Sequence, residues 1–209
     1  MVYQSIKTMS TKLLIATNNN GKVAELQDLL SDIPVQLISL ADFMNIIEVE
    51  ETGTSFAENA QLKASGYAKQ TGNLALADDS GLEVDALDGR PGVLSARYGG
   101  ESTGFAQKMA KLLDEIRLTG SADRQARFVC SIAIADAAGN ILISANGVCE
   151  GRIGDSPRGS GGFGYDPLFI PVGYEQTFGE LDLAIKQTIS HRSRAFQQII
   201  PFLRHFNAS

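Results

Sequence analysis

The run Leu74-Ala75-Leu76-Ala77 leads straight into two adjacent aspartates, Asp78 and Asp79, before Ser80-Gly81 interrupts it. A short continuous apolar run bounded by a turn signal reads as a buried strand. Carboxylates at the end of a strand in an open α/β sheet face its ligand cleft. Two neighbouring acids repel, so one holds a proton unless a cation lies between them. Mg²⁺ suits that position, because it takes hard oxygen ligands and is commonly held by one or two carboxylates plus substrate phosphates. Glu50-Glu51 offers a further ligand, and Glu58 another. The alternative is that the aspartates cap the Ser80-Gly81 turn through Asx-type bonds, which accounts for one of them.

The rest of the chain supplies the frame for such a strand. Lys12 to Thr17 reads as a short buried strand, and Val23, Leu26, Leu29 and Leu30 recur at helical spacing over 20–31. Val35 to Leu40 is a second strand. Ser55 and Glu58 form a capping box that opens a helix ended by Gly72. Phe105, Met109, Leu112, Leu113 and Ile116 mark a third helix. Two β-rich runs follow, joined by Ala137-Ala138-Gly139 as a hairpin, then a Gly-rich loop over 159–164 and a short strand from Pro167 to Pro171. The final helix starts near 192 and carries Pro201, which should kink or divide it. Alternating strands and helices followed by a long hairpin predict an α/β fold with a mixed sheet and flanking helices. Residues 11–209 read as a single domain and residues 1–10 as a loosely ordered extension.

Composition narrows the function. A formal net charge of −6 with no Lys/Arg run argues against nucleic acid as a partner. No apolar run approaches a membrane span, and the N-terminus lacks the apolar core of a signal peptide. Two cysteines, Cys130 and Cys149, make a poor disulfide framework. A cytoplasmic location follows as the default.

Three further stretches carry chemistry. Thr17-Asn18-Asn19-Asn20-Gly21-Lys22 joins a strand to a helix start, where free N–H groups favour anions and Lys22 can reach a phosphate. It is not a Walker motif, since Ala16 and Val23 stand where glycine and a hydroxyl residue are needed. The same turn equally suits a plain helix cap. Gly159, Gly161 and Gly164 match a dinucleotide fingerprint in spacing only, because Tyr165-Asp166-Pro167 follows them instead of a helix. That loop is better read as a flexible clamp, with Phe163 offering a face to a base and Asp166 offering acceptor oxygens. Lys186, His191 and Arg192 fall within seven residues and can supply several donors to one acidic ligand.

In order along the chain, TNNNGK, EETGTSFAENAQLKA, ADDSGLEVDAL, PGVLSARY, GGFGYDPLF and TFGEL with Lys186 and ISHR resemble the inosine triphosphate pyrophosphatase family. The resemblance covers Lys12 to about Phe206. It implies an elongated mixed sheet with two lobes around a deep substrate cleft, in a homodimer. It further implies hydrolysis of ITP, dITP and XTP to monophosphate and diphosphate, removing deaminated purines from the nucleotide pool. By this resemblance Thr17, Asn18, Asn19, Asn20, Gly21 and Lys22 bind the triphosphate. Glu51 and Asp79 hold Mg²⁺, Asp79 is also the proton acceptor, and Ser80 touches substrate. Phe163, Gly164, Tyr165 and Asp166 clamp the nucleoside, while Lys186, His191 and Arg192 act as base-reading cations. Two other readings stay open: a pyrophosphatase for other modified nucleotides, and a regulator that binds nucleotide without turnover.

Overall fold

The structure, a computed structural model, describes residues 11–100 and 102–206. The extension expected over residues 1–10 lies outside them. The elements are β1 (Lys12–Ile15), α1 (Asn20–Leu29), β2 (Gln36–Ser39), α2 (Phe56–Thr71), β3 (Leu74–Val84), α3 (Phe105–Thr119), β4 (Gln125–Ala135), β5 (Ile141–Ile153), β6 (Phe169–Pro171), α4 (Leu183–Ile189) and α5 (His191–Phe206). They build one six-stranded mixed sheet in the order β2-β1-β3-β4-β5-β6. β1 runs parallel to β2 and β3, and the remaining pairs are antiparallel. The α/β class expected from the alternation of elements is therefore observed.

Local chemistry sets several boundaries. The Ser55 hydroxyl accepts from the Glu58 N–H while the Glu58 carboxylate accepts from the Ser55 N–H, closing both ends of the capping box on α2. Gly72 ends the same helix in the left-handed region at φ 65°, where glycine carries no Cβ penalty. At the β4–β5 turn, the Asp136 side chain accepts from the Ala138 and Asn140 N–H groups. α4 escapes a periodicity reading because it is only seven residues long, with a single apolar pair, Ile185 and Ile189, at helical spacing.

Two expectations are corrected. First, β3 does not end at the aspartates; it continues through Ser80-Gly81 to Val84. β4 pairs with it along this length, placing Asp78 opposite Ile132, Asp79 opposite Ser131 and Gly81 opposite Val129. Gly81 is there for close approach: a Cβ would lie 2.5 Å from the Gly92 carbonyl oxygen and the Ser95 hydroxyl. Second, α5 is not divided at Pro201 but runs through it as one helix. Pro201 is exposed, while Ala195, Phe196, Ile199 and Leu203 on the same helix are fully buried, so packing outweighs one missing backbone bond, which costs about 3 kcal/mol.

The alternation of β3 divides the core between the two faces of the sheet. Leu74 and Leu76 pack with Ile132, Ile134 and Phe196 beneath α1 and α5. Ala75 and Ala77 pack with Ala133, Ala135, Ala60 and Ala64 beneath α2. The alanine face lets α2 lie close to the strands. Continuing the same alternation, Asp78 falls on the α5 face and Asp79 on the α2 face. A third cluster, built from Leu82, Val84, Leu112, Phe128, Phe169 and Phe178, fills the far half of the sheet beneath α3.

Candidate active site

β1 pairs with β3 only as far as Leu76, and its chain then peels away as the Ala16 N–H bonds the Leu76 carbonyl. Asp79 therefore sits just beyond the point where β3 loses that neighbour, and a cavity of about 240 Å³ opens there. Its wall gathers Thr17, Asn18, Asn19, Lys22, Glu51, Asp79, Ser80, Phe163, Gly164, Tyr165, Asp166, Lys186, His191 and Arg192, which the sequence had scattered over the whole chain. Asn20 and Gly21 do not line it. Asn20 opens α1, and Gly21 lies under Phe163, where a Cβ would meet the ring at 2.7 Å. Asn19 does cap α1, its side chain accepting from the Lys22 N–H at 3.1 Å, so the turn caps a helix and lines a pocket together.

The two aspartates do not share a cation. Asp78 is buried and pairs with Lys22 at 3.1 Å and Arg192 at 3.1 Å, away from the cavity lining. Burial alone would raise its carboxyl, but Lys22, Arg192 and Lys63 more than offset this and hold it well below the ordinary carboxylate range. Asp79 faces the cavity and meets the Lys63 ammonium at 3.2 Å and the Asn59 amide at 3.2 Å. The same ammonium lies 2.7 Å from Glu51. Burial pushes the Asp79 carboxyl above its usual value, with Lys63 and Lys22 opposing. Burial likewise disfavours the Lys63 charge, but Asp79, Asp78 and Glu51 overcome it and its pKa rises. Glu50 and Glu58, offered as further metal ligands, are corrected. Glu50 is exposed outside the cavity, and Glu58 is occupied by Thr54 and Ser55 at the start of α2. Glu48 lines the cavity instead.

Elsewhere in the cavity wall, Lys186 on α4 donates to Glu25 at 2.7 Å and Asp166 at 2.6 Å. Burial works against the Lys186 charge, but Asp166 and Glu25 keep its pKa above the ordinary value. Arg192 on α5 bonds Glu25, Asp78 and the Ser80 hydroxyl, so β3, α1 and α5 are joined through one guanidinium. The Gly-rich loop is anchored here as well, since the Phe163 N–H donates to Asp166 at 2.8 Å. The Phe163 ring lies 5.0 Å from the Lys186 ammonium and 5.7 Å from the Arg192 guanidinium, within cation–π range. His191 is corrected in one respect, as it is not a cation. Burial, then Arg192 and Lys186, hold it well below its usual pKa, and the neutral ring stacks on Phe128 at 4.8 Å with Nδ1 unbonded. Cys130 is buried and free as expected, its thiol pushed up to about 12 by burial and by Asp78.

Sequence reasoning missed Lys63, Asn59 and Glu25. A signal existed for the first two: polar residues four apart on the face that Ala60, Ala64 and Tyr67 bury. Glu25 gives no such sign, because it looks like any exposed helix acid until α4 and α5 fold against it.

Strands that diverge around a pocket holding paired cations, two inward carboxylates and an aromatic ring define an α/β protein built to take a polyanionic, ring-bearing ligand. The chain belongs to the Ham1 family, whose model matches residues 13–202. It is 51% identical over 192 residues to a dITP/XTP pyrophosphatase from Desulforamulus reducens, covering 92% of this chain and 95% of the relative. A dITP/XTP pyrophosphatase from an Exiguobacterium species is 47% identical, at 92% and 99% coverage. Among solved structures, a HAM1 protein from Coxiella burnetii superposes with TM-score 0.86 at 41% identity, covering 93% of this chain and 99% of that one. The Staphylococcus aureus Ham1 protein gives 0.82 at 37% identity, covering 94% and 100%.

Proposed function

We propose that the protein hydrolyses non-standard purine nucleoside triphosphates, ITP, dITP and XTP, to the monophosphate and diphosphate. One observation carries the reading: a two-carboxylate cation seat and a cation–aromatic cluster face the same cavity, as a nucleotide with phosphates at one end and a base at the other requires. The relatives bearing the name dITP/XTP pyrophosphatase support it over nearly the whole chain.

Asp79 and Glu51 fit a divalent metal. One ammonium already lies 2.7 Å from one and 3.2 Å from the other, so a single cation can serve both carboxylates. Among the described residues no group of three His, Cys, Asp or Glu side chains gathers for a metal. Two carboxylates completed by substrate phosphates match the habit of Mg²⁺. When bound, Mg²⁺ would offset charge on the triphosphate and on the departing diphosphate.

The remaining chemistry belongs to the chain. Water attacks the α-phosphorus in line with the diphosphate leaving group, and Asp79 orients that water and takes its proton. Burial, by raising the Asp79 carboxyl, makes it a stronger base. Asn59 fixes the carboxylate through one oxygen and Lys63 through the other. Lys22 and the N–H groups of the turn before α1 hold the leaving phosphates. Phe163 stacks on the base, and Lys186 and Arg192, donors only, accept a 6-oxo purine and oppose the 6-amino group of adenine. A site built to hydrogen-bond one group rejects the wrong one by ~10⁴ or more. In this reading residues 11–209 act as one domain, with two lobes around the cleft, in a cytoplasmic homodimer. No helix of the described residues is long and apolar enough to cross a membrane.

The deciding experiment is diphosphate release from ITP, dITP, XTP, GTP and ATP side by side, with and without Mg²⁺. Turnover of ATP as efficient as that of ITP would refute selection of the base by these donors. Binding of ITP with Mg²⁺ but without diphosphate release would make the protein a sensor.

A further inference from the structure

The segment after β3, Pro91-Gly92-Val93-Leu94-Ser95-Ala96-Arg97-Tyr98, has no part in the chemistry assigned so far, yet it forms one wall of the cavity. Its backbone is fixed from several directions. The Ser95 hydroxyl accepts from the Leu82 N–H on β3 at 2.9 Å, the Tyr165 hydroxyl donates to the Ser95 carbonyl at 3.1 Å, and Lys108 donates to the Ala96 carbonyl. The Arg97 N–H bonds Leu94 and its carbonyl accepts from Gly100. The Arg97 side chain, by contrast, is exposed at the cavity and has no hydrogen-bond or ion-pair partner among the described residues.

That sets it apart from the other Lys and Arg residues at the cavity. Lys22 is paired with Asp78, Lys63 with Glu51 and Asp79, Lys186 with Glu25 and Asp166, and Arg192 with Asp78 and Glu25. Those four charges are already compensated inside the protein. An incoming triphosphate can engage them only by sharing donors with carboxylates that repel it. Among the described residues, Arg97 alone brings an uncompensated positive charge to the cavity, on a rigid backbone, with a planar fork of donors suited to phosphate oxygens.

Resting on the pyrophosphatase reading, we propose that Arg97 is a phosphate-binding residue that grips the part of the triphosphate that leaves as diphosphate. It reaches the ligand from the part of the cavity wall that Val93, Ser95 and Ala96 form. Its contribution is to binding of the phosphate tail and not to recognition of the base.

The test uses the full chain with Arg97→Ala and Arg97→Lys. Arg97 is exposed and its side chain bonds nothing among the described residues, so both variants keep the wild-type melting temperature. For Arg97→Ala the KM for ITP rises roughly ten-fold or more, the loss of a charge-assisted hydrogen bond. Inhibition by inorganic diphosphate weakens by a similar factor, inhibition by IMP is unchanged, and Arg97→Lys restores part of the loss. Unchanged KM and diphosphate inhibition, or an equal weakening of IMP and diphosphate, overturns the proposal. Calorimetric binding of inorganic tripolyphosphate to wild type and Arg97→Ala measures the same loss without turnover, and equal affinities there overturn the proposal too. If the wild type released no diphosphate from ITP, the activity would be refuted while this binding comparison still decided the role of Arg97.

Discussion

Replacing Asp78 by asparagine preserves the side chain's shape and removes a charge that compensates the buried Arg192 and the half-buried Lys22. Asp78 lies 3.1 Å from Lys22 and 3.1 Å from Arg192, with its own side chain fully buried. Lys22 loses the one carboxylate paired with it among the described residues, whereas Arg192 keeps Glu25. Removing one partner of a buried pair costs about 3–5 kcal/mol, and the surviving Glu25 contact places this variant near 3 kcal/mol. For a chain of this length each kcal/mol lowers Tm by about 2–4 °C, so Asp78→Asn should melt roughly 6–12 °C below wild type. Asp79→Asn should behave in the opposite way. Burial opposes the Asp79 charge and Lys63 retains Glu51, so Tm shifts by less than about 3 °C. Its kcat should fall by about 100-fold or more if Asp79 is the base. Thermal melts combined with diphosphate release at saturating ITP and Mg²⁺ separate the two. Equal losses of kcat with unchanged melting in both variants would show that the acids act as one unit, and the assignment to opposite faces of the sheet would be wrong.

Other expectations follow from single contacts. Gly21→Ala places a methyl 2.7 Å from the Phe163 ring and displaces it, so KM for ITP should rise several-fold with kcat less affected. Gly21→Ala combined with Phe163→Leu should regain none of the stacking, and a normal KM in the single variant would detach Phe163 from base binding. His191 is neutral in the fold because burial, Arg192 and Lys186 depress its pKa, while the unfolded chain takes up the proton below about pH 6.5. Stability from this residue is complete above pH 6.5 and declines as pH falls below it, by at most about 1.4 kcal/mol per pH unit. Urea titrations at pH 7.5 and 5.5 should show a smaller loss for His191→Gln than for wild type; parallel losses would refute neutral burial. Chelation of divalent metal should abolish diphosphate release and leave the melt of the ligand-free protein nearly unchanged, since Lys63 already lies between Glu51 and Asp79.

The frame was legible where local chemistry sets it. Ser55 and Glu58 announce the start of α2, Gly72 announces its end, and Val23, Leu26 and Leu29 show the buried side of α1. The Ser80-Gly81 turn signal misled, because Gly81 is required by a neighbour, the Gly92–Ser95 segment, that lies outside any local window. Pro201 does not divide α5, for the related reason that the burial of Phe196, Ile199 and Leu203 holds the helix against the sheet. The partition of the acids could have been read from strand alternation. Leu74 and Leu76 share a face with Asp78, and the smaller Ala75 and Ala77 share one with Asp79.

The pairing of the cations was illegible, and it changes how the pocket works. Glu25 meets Lys186 and Arg192 from positions 161 and 167 residues earlier, so no spacing rule connects them. Read singly, Lys22, Lys63, Lys186 and Arg192 suggest a strongly positive trap for phosphate. Folded, each is held rigid by a carboxylate, and the trap becomes a set of oriented donors with little net charge. Under the proposed reading such a set selects by geometry, since a donor fixed by Asp166 or Glu25 cannot turn to suit an adenine amino group. It also attracts a polyanion weakly. The missing attraction must then come from the unpaired Arg97 at the wall and from a divalent ion carried in with the triphosphate. Binding of ITP should accordingly lose more affinity on removal of Mg²⁺ than binding of IMP does, and equal losses would mean that the paired cations supply the attraction themselves.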